Sequence, residues 1–185
     1  MYNLFPAKER RFCWCFKKNG VTYVQPKTPN HRTMANTFSQ LYIQVVFAVK
    51  GRQSFIGEKW ETQLYQYITG IIKAKDQKLL AINGMPDHIH IFMGLKPSCC
   101  LSDLVREIKK SSTEFISRNS LTQQPFRWQE GFGAFSYSHS HVDRVVKYVL
   151  HQKEHHKKST FKQEYLELLH KFQVTYDEKH LFDWL

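Results

Sequence analysis

The sequence lacks any apolar run long enough to cross a bilayer. A spanning helix needs about 20 apolar residues, and the best run, Leu41 to Val49, is short and broken by Gln44. It also lacks a basic start followed by an apolar stretch and a small-residue cleavage site, so no secretory leader is expected. Cysteine is sparse: Cys13, Cys15, Cys99 and Cys100 form no C-x-x-C pair. That disfavours a zinc finger or a disulfide framework and makes reduced thiols in a cytoplasmic protein the expectation. No internal repeat, low-complexity tract or ATP-binding loop is present, so neither a repeat architecture nor a nucleotide cofactor is expected. Acidic residues are few. Sixteen Asp and Glu face 27 Lys and Arg, leaving +11 over 185 residues. An excess of that size favours polyanions, nucleic acid first and anionic membrane second. What is plentiful is apolar and aromatic: 42% hydrophobic residues, with 14 Phe, 9 Tyr and 4 Trp, suffice for the core of one domain.

The charge is concentrated at one end. Residues 1–33 hold Lys8, Arg10, Arg11, Lys17, Lys18, Lys27 and Arg32 against Glu9 alone, which is +6 of the total. This stretch has no clear periodicity, contains Pro6, Pro26 and Pro29, and is followed by a second methionine, Met34. The expectation is a basic extension at 1–33, disordered or upstream of the true start, and one domain at 34–185. A nucleic-acid-binding arm is permitted by the charge but not required by it.

Periodicity then supplies an order of elements. Phe38 to Val49 is rich in β-branched and aromatic residues and reads as a buried strand. Trp60, Leu64, Tyr67, Ile68, Ile71 and Ile72 fall at helical spacing. Leu79 to Ile82 reads as a strand, Gly84-Met85-Pro86-Asp87 as a turn, and His88 to Leu95 as a second strand. Leu101, Leu104, Val105, Ile108, Phe115 and Ile116 share one helical face, and Phe126 to Tyr137 reads as a fourth strand interrupted near Gly131 and Gly133. The order β-α-β-β-α-β predicts an α+β, ferredoxin-like antiparallel sheet with helices on one face. Two more helices follow, His141 to Glu154 and one from Phe161 to Phe172 opened by a Thr160-x-x-Gln163 capping box. The apolar tail Leu181, Phe182, Trp184 and Leu185 is expected to pack on its own domain or on a second subunit.

His88 and His90 are two apart on a strand, so both side chains point to the same side and can converge on one ion. Alone, such a pair is weak evidence. Tyr148 and Gln152 are four apart on a helix and stack on one face. Arg144 and His155 fall near that face, beside the valine stripe of Val142, Val145, Val146 and Val149. The cluster His155-His156-Lys157-Lys158 reads as a solvated, cationic helix end rather than a second metal site.

Four segments together resemble a known family. Met85-Pro86-Asp87-His88-Ile89-His90 is similar to the His-hydrophobic-His motif of HUH nucleases. Val145 to Gln152 resembles the single-tyrosine helix of the TnpA-like transposases of the smallest bacterial insertion sequences, whose relatives accompany repetitive extragenic palindromes. Tyr42 to Phe47 and Trp128 to Tyr137 resemble the corresponding openings, so the likeness runs from about Met34 to the C-terminus. It implies Tyr148 as a nucleophile that cuts single-stranded DNA, leaving a 5′-phosphotyrosine and a free 3′-hydroxyl. It implies His88, His90 and Gln152 as ligands of one divalent ion, Mg²⁺ or Mn²⁺. It also implies hairpin recognition at the element's ends, a bacterial cytoplasmic setting at the nucleoid, and a homodimer. Whether the tyrosine helix completes its own chain's histidine pair or its partner's stays open.

Basic side chains suited to a DNA backbone groove are Lys50, Arg52, Arg106, Lys109, Lys110, Arg127, Arg144 and Lys147, with Lys96, Lys157 and Lys158 further candidates. Tyr42, Trp128 and Phe132 are candidates for stacking on unpaired bases, with core packing the competing role. Two other functions remain open on the residues alone. One is another metal-dependent phosphoesterase in which Tyr148 is structural; the other is a hairpin-binding protein without catalysis.

Overall fold

The strand β1, Leu41–Ala48, is buried on both faces, and this decides the architecture. Val45, Phe47 and Val49 point into one apolar cluster, while Val46 and Ala48 point into another. Alternate side chains leave a strand on opposite sides, so an unbroken apolar run such as Val45 to Val49 needs a layer on each. The computed structural model describes residues 38–52, 56–177 and 181. The extension 1–33, the side chain of Arg52, and Phe182, Trp184 and Leu185 lie outside the described residues.

The elements run α1 (Glu58–Ala74), β2 (Lys78–Met85), β3 (His88–Leu95), α2 (Leu101–Arg118), β4 (Gly133–Tyr137), α3 (Val142–Leu150), α4 (Gln152–His155) and α5 (Phe161–Lys171) after β1. The sheet order is β2-β3-β1-β4 with every pairing antiparallel, as the ferredoxin-like expectation requires. Helices α1 and α2 cover one face through Leu64, Ile68, Ile72, Leu104, Val105 and Ile108. On the opposite face, α3 packs Val145 and Val149 against Ala81 and Phe92. There α5 packs Phe161, Tyr165, Leu168 and Leu169 against Val46, Ala48 and Phe135. Leu181 joins that last cluster. The capping box forms as expected: Thr160 Oγ1 accepts from the Gln163 amide at 3.3 Å, and Gln163 Oε1 accepts from the Thr160 amide at 3.0 Å. It pins the first turn of α5, which carries Phe161 and Glu164.

Three elements depart from the sequence pattern. Gly84 lies inside β2, not in the turn. A Cβ there would sit 2.2 Å from the His88 carbonyl oxygen and 2.8 Å from Ile89 Cα, so only glycine lets β2 close on the start of β3. The fourth strand is shorter than its aromatic segment. Upstream of Gly131, whose φ is 72°, Trp128 makes only an isolated bridge to Val49. Phe126 and Trp128 instead fill the α1/α2 core, the indole donating to Ser112 Oγ at 2.9 Å. The tyrosine helix breaks at His151 into α3 and α4, and Asn83 Nδ2 donates to the exposed end of α3 at Leu150 O, 2.7 Å away.

The irregular segment before β4 is held by Lys109. Its ammonium donates to Gln129 O at 2.8 Å and to Gly131 O, and lies 5.0 Å from the centroid of the Phe47 ring. Burial pushes its pKa down to about 8. Lys109→Met is expected to cost about 1–3 kcal/mol, because it strands carbonyls that have lost their charged donor. Urea unfolding measures this; a variant as stable as the wild type would deny the tie.

Candidate active site

In the β1–β3 ladder, His90 pairs with Val46 and His88 with Ala48. Period two therefore sends Ile89 and Ile91 into the α1/α2 core and both imidazoles to the opposite face. Both histidines are fully buried. His88 Nδ1 is 2.7 Å from Asp87 Oδ1, and its ring stacks on Phe161 with centroids 3.9 Å apart. With Nδ1–H donated to that carboxylate, His88 Nε2 carries the lone pair, and it has no hydrogen-bond partner among the described residues.

His90 is oriented by a residue that merely interrupts the apolar run of β1. Gln44 is fully buried, its Nε2 lies 2.9 Å from His90 Nδ1, and its Oε1 accepts from the Tyr137 hydroxyl at 2.7 Å. A half-turn of the Gln44 amide reverses this relay: His90 Nδ1–H donates to the amide oxygen, and the Nε2 lone pair is freed. The two arrangements share the same heavy-atom positions. A relay of this kind sets which imidazole nitrogen can act as a ligand.

Both His88 and His90 face Glu164, a buried carboxylate of α5. His88 Nε2 is 3.7 Å and His90 Nε2 3.4 Å from its Oε2, and His156 Nε2 is 3.0 Å from the same oxygen. The other oxygen, Oε1, accepts from the Tyr148 hydroxyl and, at 3.0 Å, from Gln152 Nε2. One carboxylate thus joins the nucleophile candidate to the histidine pair. Burial opposes the charge on Glu164, but His90, His156 and Tyr148 outweigh it and hold the carboxyl well below the usual carboxylate range. Burial also opposes charge on His156, yet its bond to Glu164 raises its pKa. Its Nδ1 lies 3.0 Å from Ser159 O, so a neutral ring would aim a lone pair at the carboxylate. Burial and then Glu164 push the Tyr148 phenol well above its ordinary range.

Burial pushes the pKa of His88 down to about 4 from 6.5, partly countered by Asp87. Between those values the unfolded chain binds a proton that the folded chain does not, so stability rises with pH across that window. Without divalent metal, moving from pH 6.5 to pH 5 is expected to cost about 2 kcal/mol. Urea melts at the two pH values measure it, and His88→Asn should flatten the slope.

The donor set suits a divalent cation. His88, His90, His156 and Glu164 each offer a ligand atom, all within 4.8 Å of one another. Gln152 Oε1 is buried nearby without a hydrogen-bond partner among the described residues. Imidazole and carboxylate donors together are a common set for first-row transition metals.

The basic candidates separate into layers. Arg144 and Lys147 lie on α3 with Tyr148, both exposed. Arg144 lines a cavity of about 210 Å³ with Tyr148, Tyr137, His155, Glu164 and Lys171. Lys50 and Arg127 are exposed and joined by a 2.8 Å backbone hydrogen bond at the end of β1 nearest His88. Arg106, paired with Asp103, and exposed Lys110 lie with Lys109 on α2, across the sheet from the histidines. Of the stacking candidates, Trp128 is core and Phe132 packs on the core, while Tyr42 lies 6.3 Å from Phe92 and 5.9 Å from His139, centroid to centroid.

Two members of the cluster depart from the sequence reading. Glu164 belongs to no motif, although it falls within the apolar stripe of α5, three residues after Phe161 and four before Leu168. A carboxylate inside such a stripe was the available signal. His156 reads as part of a solvated helix end, yet α4 is so short that the chain turns it inward onto Glu164.

A family model described as "Transposase IS200 like" matches residues 37–152. The chain belongs to this family. Two solved structures share the fold of this IS200-like transposase. One is a candidate transposase from Deinococcus radiodurans R1, 20% identical with a TM-score of 0.52, the match covering 63% of this chain and 94% of that one. The other is a REP-associated tyrosine transposase bound to a REP hairpin, 19% identical with a TM-score of 0.51, covering 63% of this chain and 68% of that one. No curated protein matches the chain. Among the described residues of this IS200-like transposase, no helix is long and apolar enough to cross a membrane.

Proposed function

We propose that this IS200-like transposase cuts and rejoins single-stranded DNA at hairpin-bearing element ends through Tyr148. The observation that carries the reading is the convergence of the Tyr148 hydroxyl and both imidazoles on one buried carboxylate. The phenol oxygen forms a bond to the scissile phosphorus while the bond from phosphorus to the 3′-oxygen breaks. The phenol gives up its proton and the departing 3′-oxygen takes one, so a 5′-phosphotyrosine and a free 3′-hydroxyl remain. Bond energy is conserved, and no nucleotide cofactor is needed. A divalent ion held by His88, His90 and their neighbours, Mg²⁺ or Mn²⁺, would polarise the phosphate and offset its growing charge. Arg144, beside Tyr148, is placed to attract the phosphate to the cavity, with Lys147 and Lys50 tracking the strand on either side. The chain's own Tyr148 reaches its own histidines, with ring centroids of His90 and Tyr148 6.0 Å apart, which supports assembly of the site within one chain even in a homodimer. Residues 34–185 form the working domain on this reading, and the family match beginning at residue 37 supports that boundary. Hairpin recognition draws support from the relative solved with a REP hairpin.

The test is a labelled hairpin oligonucleotide incubated with protein and Mn²⁺ and run on a denaturing gel. A covalent protein–DNA adduct is expected. Cleavage without an adduct would point to another phosphoesterase, and binding without cleavage in any divalent metal to a hairpin-binding protein.

A further inference from the structure

We infer that Glu164 of α5 supplies the anionic ligand of a His88–His90–Glu164 cation site, with His156 beside it, while Gln152 orients that ligand. The reasons lie in how each group is already occupied. Gln152 donates its Nε2 to Glu164 Oε1 at 3.0 Å and so steers the carboxylate. Its Oε1, a neutral donor to a metal, stays buried without a hydrogen-bond partner among the described residues and can add only a weaker contact than the charged Glu164. Glu164 Oε2 faces three imidazole nitrogens, at 3.0, 3.4 and 3.7 Å. Donor atoms that sit about 2.0–2.1 Å from one ion lie roughly 3 Å or more from each other, so these separations leave room for a cation among the four groups once the imidazole Nε2 atoms are deprotonated. Glu164 is only 2% exposed, so its charge is not screened by water. His88 already shows the outer partner common to metal-bound histidines, an Nδ1 contact to the carboxylate of Asp87. Gln44 provides the equivalent for His90 after its amide turns.

The same carboxylate accepts from the Tyr148 hydroxyl, so Glu164 is also a positioning residue for the nucleophile. Imidazoles with one carboxylate favour Mn²⁺ over Mg²⁺, which prefers oxygen donors and keeps its waters. The inference rests on the reading above only in taking this cluster as the cation site of the reaction.

Calorimetric titration of the metal-free full chain with Mn²⁺ and with Mg²⁺ tests the assignment without any DNA. One Mn²⁺ per chain is expected, bound more tightly than Mg²⁺. Glu164→Gln should weaken Mn²⁺ binding at least about 100-fold and Gln152→Ala about 10-fold, the scale of outer-partner losses. Glu164→Asp keeps the charge and should fall between wild type and Glu164→Gln; thermal melting of each variant checks that it folds. Should Glu164→Gln not fold, the Asp variant and the manganese resonance of the wild type carry the test, the latter showing mixed nitrogen and carboxylate coordination. Wild-type affinity in Glu164→Gln, a larger loss in Gln152→Ala, or no Mn²⁺ binding at all would overturn the assignment. If Mn²⁺ binds through Glu164 but no DNA adduct forms, the strand-transfer reading fails and the metal site stands.

Discussion

Tyr148→Phe is expected to abolish the covalent protein–DNA adduct and to lower strand cleavage at least about 10⁴-fold, the scale of losing a catalytic nucleophile. The substitution removes one oxygen and little else. The ring keeps its neighbours His90 and His155, whose centroids lie 6.0 and 5.4 Å away. Glu164 loses one donor but keeps Gln152 and His156, so the stability cost should be about 1 kcal/mol. Melting and adduct formation measured on the same preparation separate the two effects. Burial and Glu164 both disfavour the phenolate, so offsetting the carboxylate's charge should help the oxygen attack. Mn²⁺ affinity should survive Tyr148→Phe even as the adduct disappears. Cleavage that persists at the wild-type rate would sink the tyrosine mechanism and leave the residue a structural role.

The second large effect is on stability. Phe47→Ala should cost about 3–5 kcal/mol, a large share of the roughly 5–15 kcal/mol that holds a domain together. Phe47 is fully buried, meets Trp128 edge-on with centroids 4.9 Å apart, and lies beneath the Lys109 ammonium. Truncation opens a cavity on the α1/α2 side of β1, and the neighbouring strand residue across the ladder is Ile89, between the two site histidines. Chemical denaturation should show the loss as a lower midpoint with an unchanged slope. A loss below about 1 kcal/mol would mean that the core closes around the gap.

Much of the fold was legible because its signals are local. A strand apolar throughout its second half, helices with one apolar stripe, and a capping box at Thr160 each involve residues within a few positions of one another. The same is true of His88 and His90 sharing a side. Where larger groups competed for space, local rules lost ground. Phe126 and Trp128 look like strand residues, but their rings fill the core beside Phe47. Lys109 looks like a DNA contact, but its ammonium is taken by the Gln129 and Gly131 carbonyls of the irregular segment before β4.

By itself, the sequence determined the order of elements, the pairing of His88 with His90 and of Tyr148 with Gln152, and the family they resemble. Tertiary structure alone decided that Glu164 and His156 join them, that Gln44 holds His90, and that the basic residues of α2 lie across the sheet. The physical reason is distance along the chain. Periodicity ranks neighbours within one element, whereas a buried carboxylate is satisfied by whatever donors other elements bring to it. Here β1 must be covered on both faces, and covering the second face lays α5, with Glu164 in its apolar stripe, over the histidines of β3.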